Sequence, residues 1–182
     1  MDTPRIVGRA AEFTTPWLSV ISKTVAGLPG TTEPQIYYGI EPGDYVTVLP
    51  ITADNRVVVV RQYRPIVEGY TLELPSGHVD AGHTPEQVAR QELLEETGYV
   101  VGRLEPLGTV LPDVGRLTNR QWCYLATDLS REPGAMVEAG IEVFTLSSEE
   151  FRARILDGTL NHALNLAVVA LAICRGALPD PS

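Results

Sequence analysis

The chain has 182 residues, 44% of them hydrophobic and 20% charged, a composition ordinary for one soluble globular domain with a core of its own. Its formal net charge of -9 argues against a general binder of nucleic-acid backbones, yet leaves room for a phosphate substrate whose charge a divalent cation offsets. The two cysteines, Cys123 and Cys174, lie far apart without CxxC spacing, which argues against a zinc site or a disulfide framework and favours a reducing, cytoplasmic compartment.

At the N-terminus no apolar stretch follows a basic segment, so no secretory leader is expected. Trp17 to Val25 alternates weakly, as a strand does, and Ile36 to Ile40 reads as another strand after the polar break from Thr31 to Gln35. Pro42-Gly43-Asp44 is a turn signal. It separates an N-terminal β segment, residues 1–42, from one larger domain, residues 43–182. Tyr45 to Thr52 and the β-branched run starting at Val57 read as two strands joined by the turn Ala53-Asp54-Asn55-Arg56, which predicts a β-hairpin. Thr71 to Pro75 is a short strand, followed by a glycine-rich loop from Ser76 to His83 and then a helix. Leu104 to Leu111, Gln121 to Thr127 and Ile141 to Leu146 read as further strands. Ser147-Ser148-Glu149-Glu150 starts a second helix, and Asn161 to Cys174 forms a last one. Its apolar run, Leu164 to Cys174 interrupted by Asn165, is too short to span a bilayer. Strands linked mostly by turns, with few helices, predict an α+β fold, an α/β/α sandwich around a mixed sheet.

The helix after the glycine loop is the informative one. Thr84 is its N-cap, Pro85 stands at the first helical position, Gln87 completes a capping box and Gly98 is the expected stop, so the helix spans Pro85 to Thr97. Glu92, Glu95 and Glu96 fall on one side, within about 100° of arc. They repel one another by roughly 0.2–0.5 kcal/mol per pair, and they occupy a helix end that favours cations. No lysine or arginine lies between Gln91 and Gly102 to offset them. A solvated acidic face is one reading. The other is a site for a hard divalent ion, since carboxylate oxygens suit Mg²⁺. The turn Leu74-Pro75-Ser76-Gly77 favours the second, because it leaves a strand aimed at the helix with backbone groups, including the Ser76 carbonyl, to offer.

This stretch resembles the Nudix box, G-x5-E-x7-R-E-U-x-E-E-x-G-U with U apolar. Gly77 matches the first glycine, and Glu92, Leu93, Glu95, Glu96, Gly98 and Tyr99 match the second half at the correct spacing. Two positions depart: His83 stands where the first glutamate belongs and Gln91 where the arginine belongs. In the family that arginine orients the helix glutamates. Gln91 still donates hydrogen bonds, though not as a charged fork. Arg61-Gln62-Tyr63-Arg64-Pro65 and Leu72-Glu73-Leu74-Pro75-Ser76-Gly77 extend the resemblance to the ADP-ribose pyrophosphatase branch.

The resemblance implies Mg²⁺-dependent hydrolysis of a nucleoside diphosphate sugar, ADP-ribose to AMP and ribose 5-phosphate being the leading case, with Mn²⁺ as an alternative metal. It implies metal ligation by Glu92, Glu95, Glu96 and the Ser76 carbonyl, with Arg64 reaching the phosphates or ribose. Trp17, with Tyr37 or Tyr38, would stack on the base, and Asp113 and the His78 backbone would line the sugar end. Glu138 is the candidate general base, with Glu142 as a weaker alternative and Glu95 a further catalytic carboxylate. Each has a plainer reading: packing for Trp17, a strand-end charge for Arg64, a turn former for Asp113. The branch also implies a homodimer built on the N-terminal strands, with no nucleic-acid or membrane partner. The departures at His83 and Gln91 keep a second class open, a weak or inactive fold that binds a nucleotide sugar as a sensor.

Overall fold

The computed structural model describes residues 3–178. Contacts group them into two units. The first holds the residues up to Asp44 together with Leu111–Arg120. Its strands β1 (Arg5–Thr14), β2 (Leu18–Ala26) and β3 (Gln35–Pro42) form an antiparallel sheet in chain order. Leu111–Arg120 is fastened to the end of β3: the Ile40 N–H donates to the Arg116 carbonyl at 2.7 Å, and Asn119 Nδ2 donates to the Gly43 carbonyl at 2.9 Å. Within this unit Ile6, Val7, Phe13, Trp17, Ile36, Tyr37 and Tyr38 stay exposed.

The second unit runs from Tyr45 to Val110 and resumes at Gln121. In chain order it contains β4 (Tyr45–Pro50), β5 (Val57–Arg64), β6 (Gly69–Glu73), β7 (Ser76–His78), α1 (Pro85–Thr97), β8 (Tyr99–Val110), β9 (Gln121–Arg131), β10 (Glu142–Leu146), α2 (Ser148–Leu156) and α3 (Ala163–Cys174). A four-stranded mixed sheet has the order β7-β4-β9-β8, with β4 and β9 parallel, and a three-stranded antiparallel sheet has the order β10-β5-β6. Alternation along β4 sends Val46 and Val48 toward Val88, Ala89 and Leu93 of α1, and Leu49 toward a second core with Phe151 of α2 and Val168 and Ala172 of α3. Helices thus cover both faces of the mixed sheet, as the α/β/α expectation has it.

α1 has the expected bounds. Thr84 Oγ1 accepts the Gln87 N–H, Gln87 Oε1 accepts the Thr84 N–H, and Gly98 ends the helix in the left-handed region at φ 70°. The chain enters β8 at once from there.

Three expectations are corrected. Ala53–Arg56 does turn, with the Thr52 N–H on the Arg56 carbonyl at 2.9 Å, but the flanking strands do not pair as a hairpin. Apart from one bridge between Ile51 and Val57 they enter different sheets, because β5 is hydrogen-bonded on both sides by β10 and β6. The segment from Ser76 is not all loop: Ser76, Gly77 and His78 pair with Thr47, Val46 and Tyr45. β8 and β9 are also longer than the apolar runs that marked them. Long-range pairing carries them through Gly102 and Asp128, which interrupt the hydrophobic pattern, and β8 has a bulge between Pro106 and Gly108. β1 carries almost no buried residue and no clear alternation of burial, so its sequence did not mark it.

Candidate active site

The site is built where β7 meets the end of α1. Val88, Glu92 and Glu96 lie four residues apart on one line of the helix, so the line that buries Val88 also carries Glu92 and Glu96 inward. Glu96 is 4% exposed, and its Oε2 accepts the Ser76 N–H at 3.0 Å. Glu92 lies against Gly77 so closely that a Cβ there would stand 1.9 Å from Glu92 Oε1. The glycine is therefore a requirement of the carboxylate's position. Burial, and then the charges of Glu95, Glu138 and Asp80, push the Glu92 carboxyl up to about 7. Burial likewise pushes Glu96 up to about 8, with Glu92 and Glu73 adding to it and the Ser76 N–H and Arg64 opposing it.

Glu95 is exposed, and Gln91 Nε2 donates to its Oε1 at 3.0 Å. The residue in the arginine's place thus still holds a helix glutamate. The Glu138 side chain is exposed on the connection between β9 and β10, its backbone N–H donates to the Glu95 carbonyl at 2.9 Å, and its charge reaches Glu92. His78 packs its ring on Tyr45 with centroids 4.3 Å apart, and burial lowers its pKa. His83 is exposed in the turn before α1, where its N–H donates to the Asp80 carbonyl.

Arg64 is already engaged. Its Nε and Nη2 donate to the two oxygens of Glu73 at 2.8 and 2.7 Å. Thr71 Oγ1 donates to Glu73 as well, and these bonds outweigh burial to hold the Glu73 carboxyl below its ordinary value. Glu73, at 2% exposure, thereby fixes Arg64 close enough to Glu96 for the two charges to interact. No local signal marks Glu73 for a role of its own, although it stands inside the segment that carries the resemblance.

The other expected residues belong to the first unit. Trp17 is 79% exposed at the turn from β1 to β2, and Tyr37 is exposed on β3. Asp113 Oδ1 accepts the Gly115 N–H at 2.9 Å, and its Oδ2 lies 3.2 Å from Arg116 Nη1, the bonds of a turn former.

Among the described residues no three His, Cys, Asp or Glu side chains are already gathered as a metal centre. The donor chemistry nonetheless fits a hard divalent ion. Burial lifts both pKa values, Glu95, Glu138 and Asp80 add negative charge around Glu92, and Glu92 and Glu73 add it around Glu96. A cation there would remove the cost of ionising them.

Residues 41–154 match the NUDIX domain model, and the chain belongs to that family. It is 34% identical over 119 residues to the methanol dehydrogenase activator of Bacillus methanolicus, covering 65% of this chain and 60% of that protein. To the ADP-ribose pyrophosphatase of Bacillus subtilis (strain 168) it is 31% identical over 121 residues, 66% of this chain and 60% of the relative. To the GDP-mannose pyrophosphatase of Pectobacterium atrosepticum it is 33% identical over 153 residues, 78% and 79% of the two chains. The match thus spans about three fifths of the first two relatives. A solved structure described as an ADP compounds hydrolase superposes with a TM-score of 0.82 over 97% of each chain at 20% identity, which establishes the shared fold. No helix among the described residues is long and apolar enough to cross a membrane.

Proposed function

We propose that the protein hydrolyses the pyrophosphate bond of a nucleoside diphosphate sugar in a Mg²⁺-dependent reaction, with ADP-ribose, split to AMP and ribose 5-phosphate, as the leading substrate. The observation that carries this reading is the pair of inward carboxylates, Glu92 and Glu96, set against the Ser76-Gly77 strand. The similarity to an ADP-ribose pyrophosphatase and a GDP-mannose pyrophosphatase supports the substrate class.

Glu92, Glu95, Glu96 and the Ser76 carbonyl would hold the metal, with Mg²⁺ the expected ion and Mn²⁺ a substitute. When bound, the cation neutralises diphosphate charge and lowers the pKa of a bound water. The chain's own groups do the rest. Arg64, held by Glu73, is a preorganised positive group for the diphosphate. Glu138, exposed on its connection and electrostatically in reach of Glu92, is the proposed base that takes the proton of the attacking water. His78 lines the sugar end. Trp17 and Tyr37 supply aromatic surface for the base, and the exposed apolar side chains around them suit a homodimer.

The test is a panel of nucleoside diphosphate derivatives incubated with Mg²⁺ or Mn²⁺, with released phosphomonoesters quantified. ADP-ribose is expected to lead and Glu138→Gln to lose most turnover. Tight binding of ADP-ribose without hydrolysis would replace this reading with that of a nucleotide-sugar sensor, the outcome the departures at His83 and Gln91 would favour.

A further inference from the structure

α3 is apolar along its length except at Asn165, and that amide is 0% exposed. Its Oδ1 accepts the Leu74 N–H at 2.9 Å across 91 residues of sequence, while its Nδ2 has no protein partner. A half-satisfied buried amide costs stability, and a leucine would fill comparable space without that polar group. Packing alone therefore does not explain asparagine here.

What Asn165 holds does. β6 ends at Glu73, paired with Val60 in the three-stranded sheet, and β7 begins at Ser76, paired with Thr47 in the four-stranded sheet. The chain changes sheets across Leu74 and Pro75, which belong to neither ladder. Pro75 has no N–H, and its carbonyl accepts the Val48 N–H at 2.9 Å. Leu74 is fully buried, and its N–H needs an acceptor at the crossing. Asn165 supplies it. Immediately before the crossing stands Glu73, which orients Arg64. Immediately after it stand Ser76, whose N–H holds Glu96, and Gly77, on which Glu92 rests.

We propose that Asn165 is a positioning residue that clamps the Leu74 peptide and so sets where Glu73, Ser76 and Gly77 place Arg64, Glu96 and Glu92. The inference deepens the hydrolase reading and rests on it for its kinetic consequence, whereas the clamp itself is a property of the fold. Two variants separate these. Asn165→Leu removes the acceptor at similar volume, and Asn165→Asp keeps an oxygen in its place. Amide hydrogen exchange over residues 72–78 is measured beside Mn²⁺ affinity and steady-state ADP-ribose turnover.

In Asn165→Leu, exchange at 74–77 is expected to rise at least about tenfold while α1 and β9 keep their protection. Mn²⁺ affinity is expected to fall, kcat to drop about tenfold or more as Glu92 and Glu96 lose their seat, and KM to rise as Arg64 loosens. Asn165→Asp is expected to recover local protection and part of kcat. Wild-type exchange at 74–77 in the leucine variant overturns the proposal. So does a rise spread evenly over the whole domain, which marks loss of stability alone. If the leucine variant fails to fold, Asn165→Ala is read by the same criteria. A wild-type protein that binds Mn²⁺ but hydrolyses nothing overturns the hydrolase reading and leaves exchange and Mn²⁺ affinity to judge the clamp.

Discussion

The Gly77 Cα and the Glu92 carboxylate occupy adjoining space with no allowance for a methyl group between them. A Cβ at position 77 would lie 1.9 Å from Glu92 Oε1 and 2.1 Å from its Cδ. Strand β7 and helix α1 are thus matched to each other at the one place where the carboxylate must turn inward.

Gly77→Ala should therefore swing Glu92 out of position while the fold survives, because the clash is with the movable end of a side chain. A displacement of about 1 Å in a catalytic group costs on the order of 10²-fold in rate. Turnover at saturating metal, with circular dichroism as the control for folding, checks this. Wild-type kcat in a folded Gly77→Ala protein would show that Glu92 need not lie there.

Glu73→Gln keeps the shape of the side chain but removes the charge that holds the Arg64 fork. Arg64 is partly exposed, so screening limits the loss, and a fall of roughly 1–3 kcal/mol in unfolding free energy is expected. The functional effect should be larger in KM for a diphosphate substrate than in kcat, since the arginine stays present but less fixed. Denaturant unfolding and steady-state kinetics on one preparation measure both. Unchanged stability and unchanged KM would mean that the bidentate pair is incidental.

The metal-free protein should lose stability as pH rises. Glu92 and Glu96 have folded-state pKa values raised to about 7 and about 8, from an ordinary 4.5. Their contribution is fully present below about pH 4.5 and disappears as pH climbs through 7 and 8, because the folded state holds protons that the unfolded chain has released. Glu73 has a lowered pKa and acts in the opposite sense, but its effect is lost only at more acid pH. Between pH 5 and 8 the melting temperature in EDTA should therefore decline, with a shallower slope in Glu96→Gln. Saturating Mg²⁺ should restore it at pH 8. A flat profile in EDTA would indicate that the two carboxylates are not held as buried groups amid negative charge.

Much of this site was legible in the residues, and the reasons differ by element. α1 announced both its ends, since Thr84, Pro85, Gln87 and Gly98 are local signals that act through neighbouring backbone atoms. The spacing of Glu92 and Glu96 placed them on one side, but the inward direction of that side depends on Val88 and on the face that β4 presents. β7 was hidden because three residues, one of them glycine, carry no periodicity, and only pairing with β4 makes them a strand. The Arg64–Glu73 pair was hidden because it forms only once β5 and β6 fold back on each other, and the Asn165 clamp because it joins segments far apart in the chain that give no sign of each other. Asn165 did stand out as the break in an apolar run, yet its partner, the Leu74 N–H, is backbone and leaves no trace in a side-chain pattern.

The most direct test is the Mg²⁺-dependent release of AMP from ADP-ribose by the wild-type protein, by Glu92→Gln and by Glu96→Gln at equal concentration. Turnover by the wild type that stops on EDTA addition, together with a loss of about 10²-fold or more in each variant, is expected if these two carboxylates carry the metal. Folded variants that both release AMP at the wild-type rate would remove the metal from this end of α1.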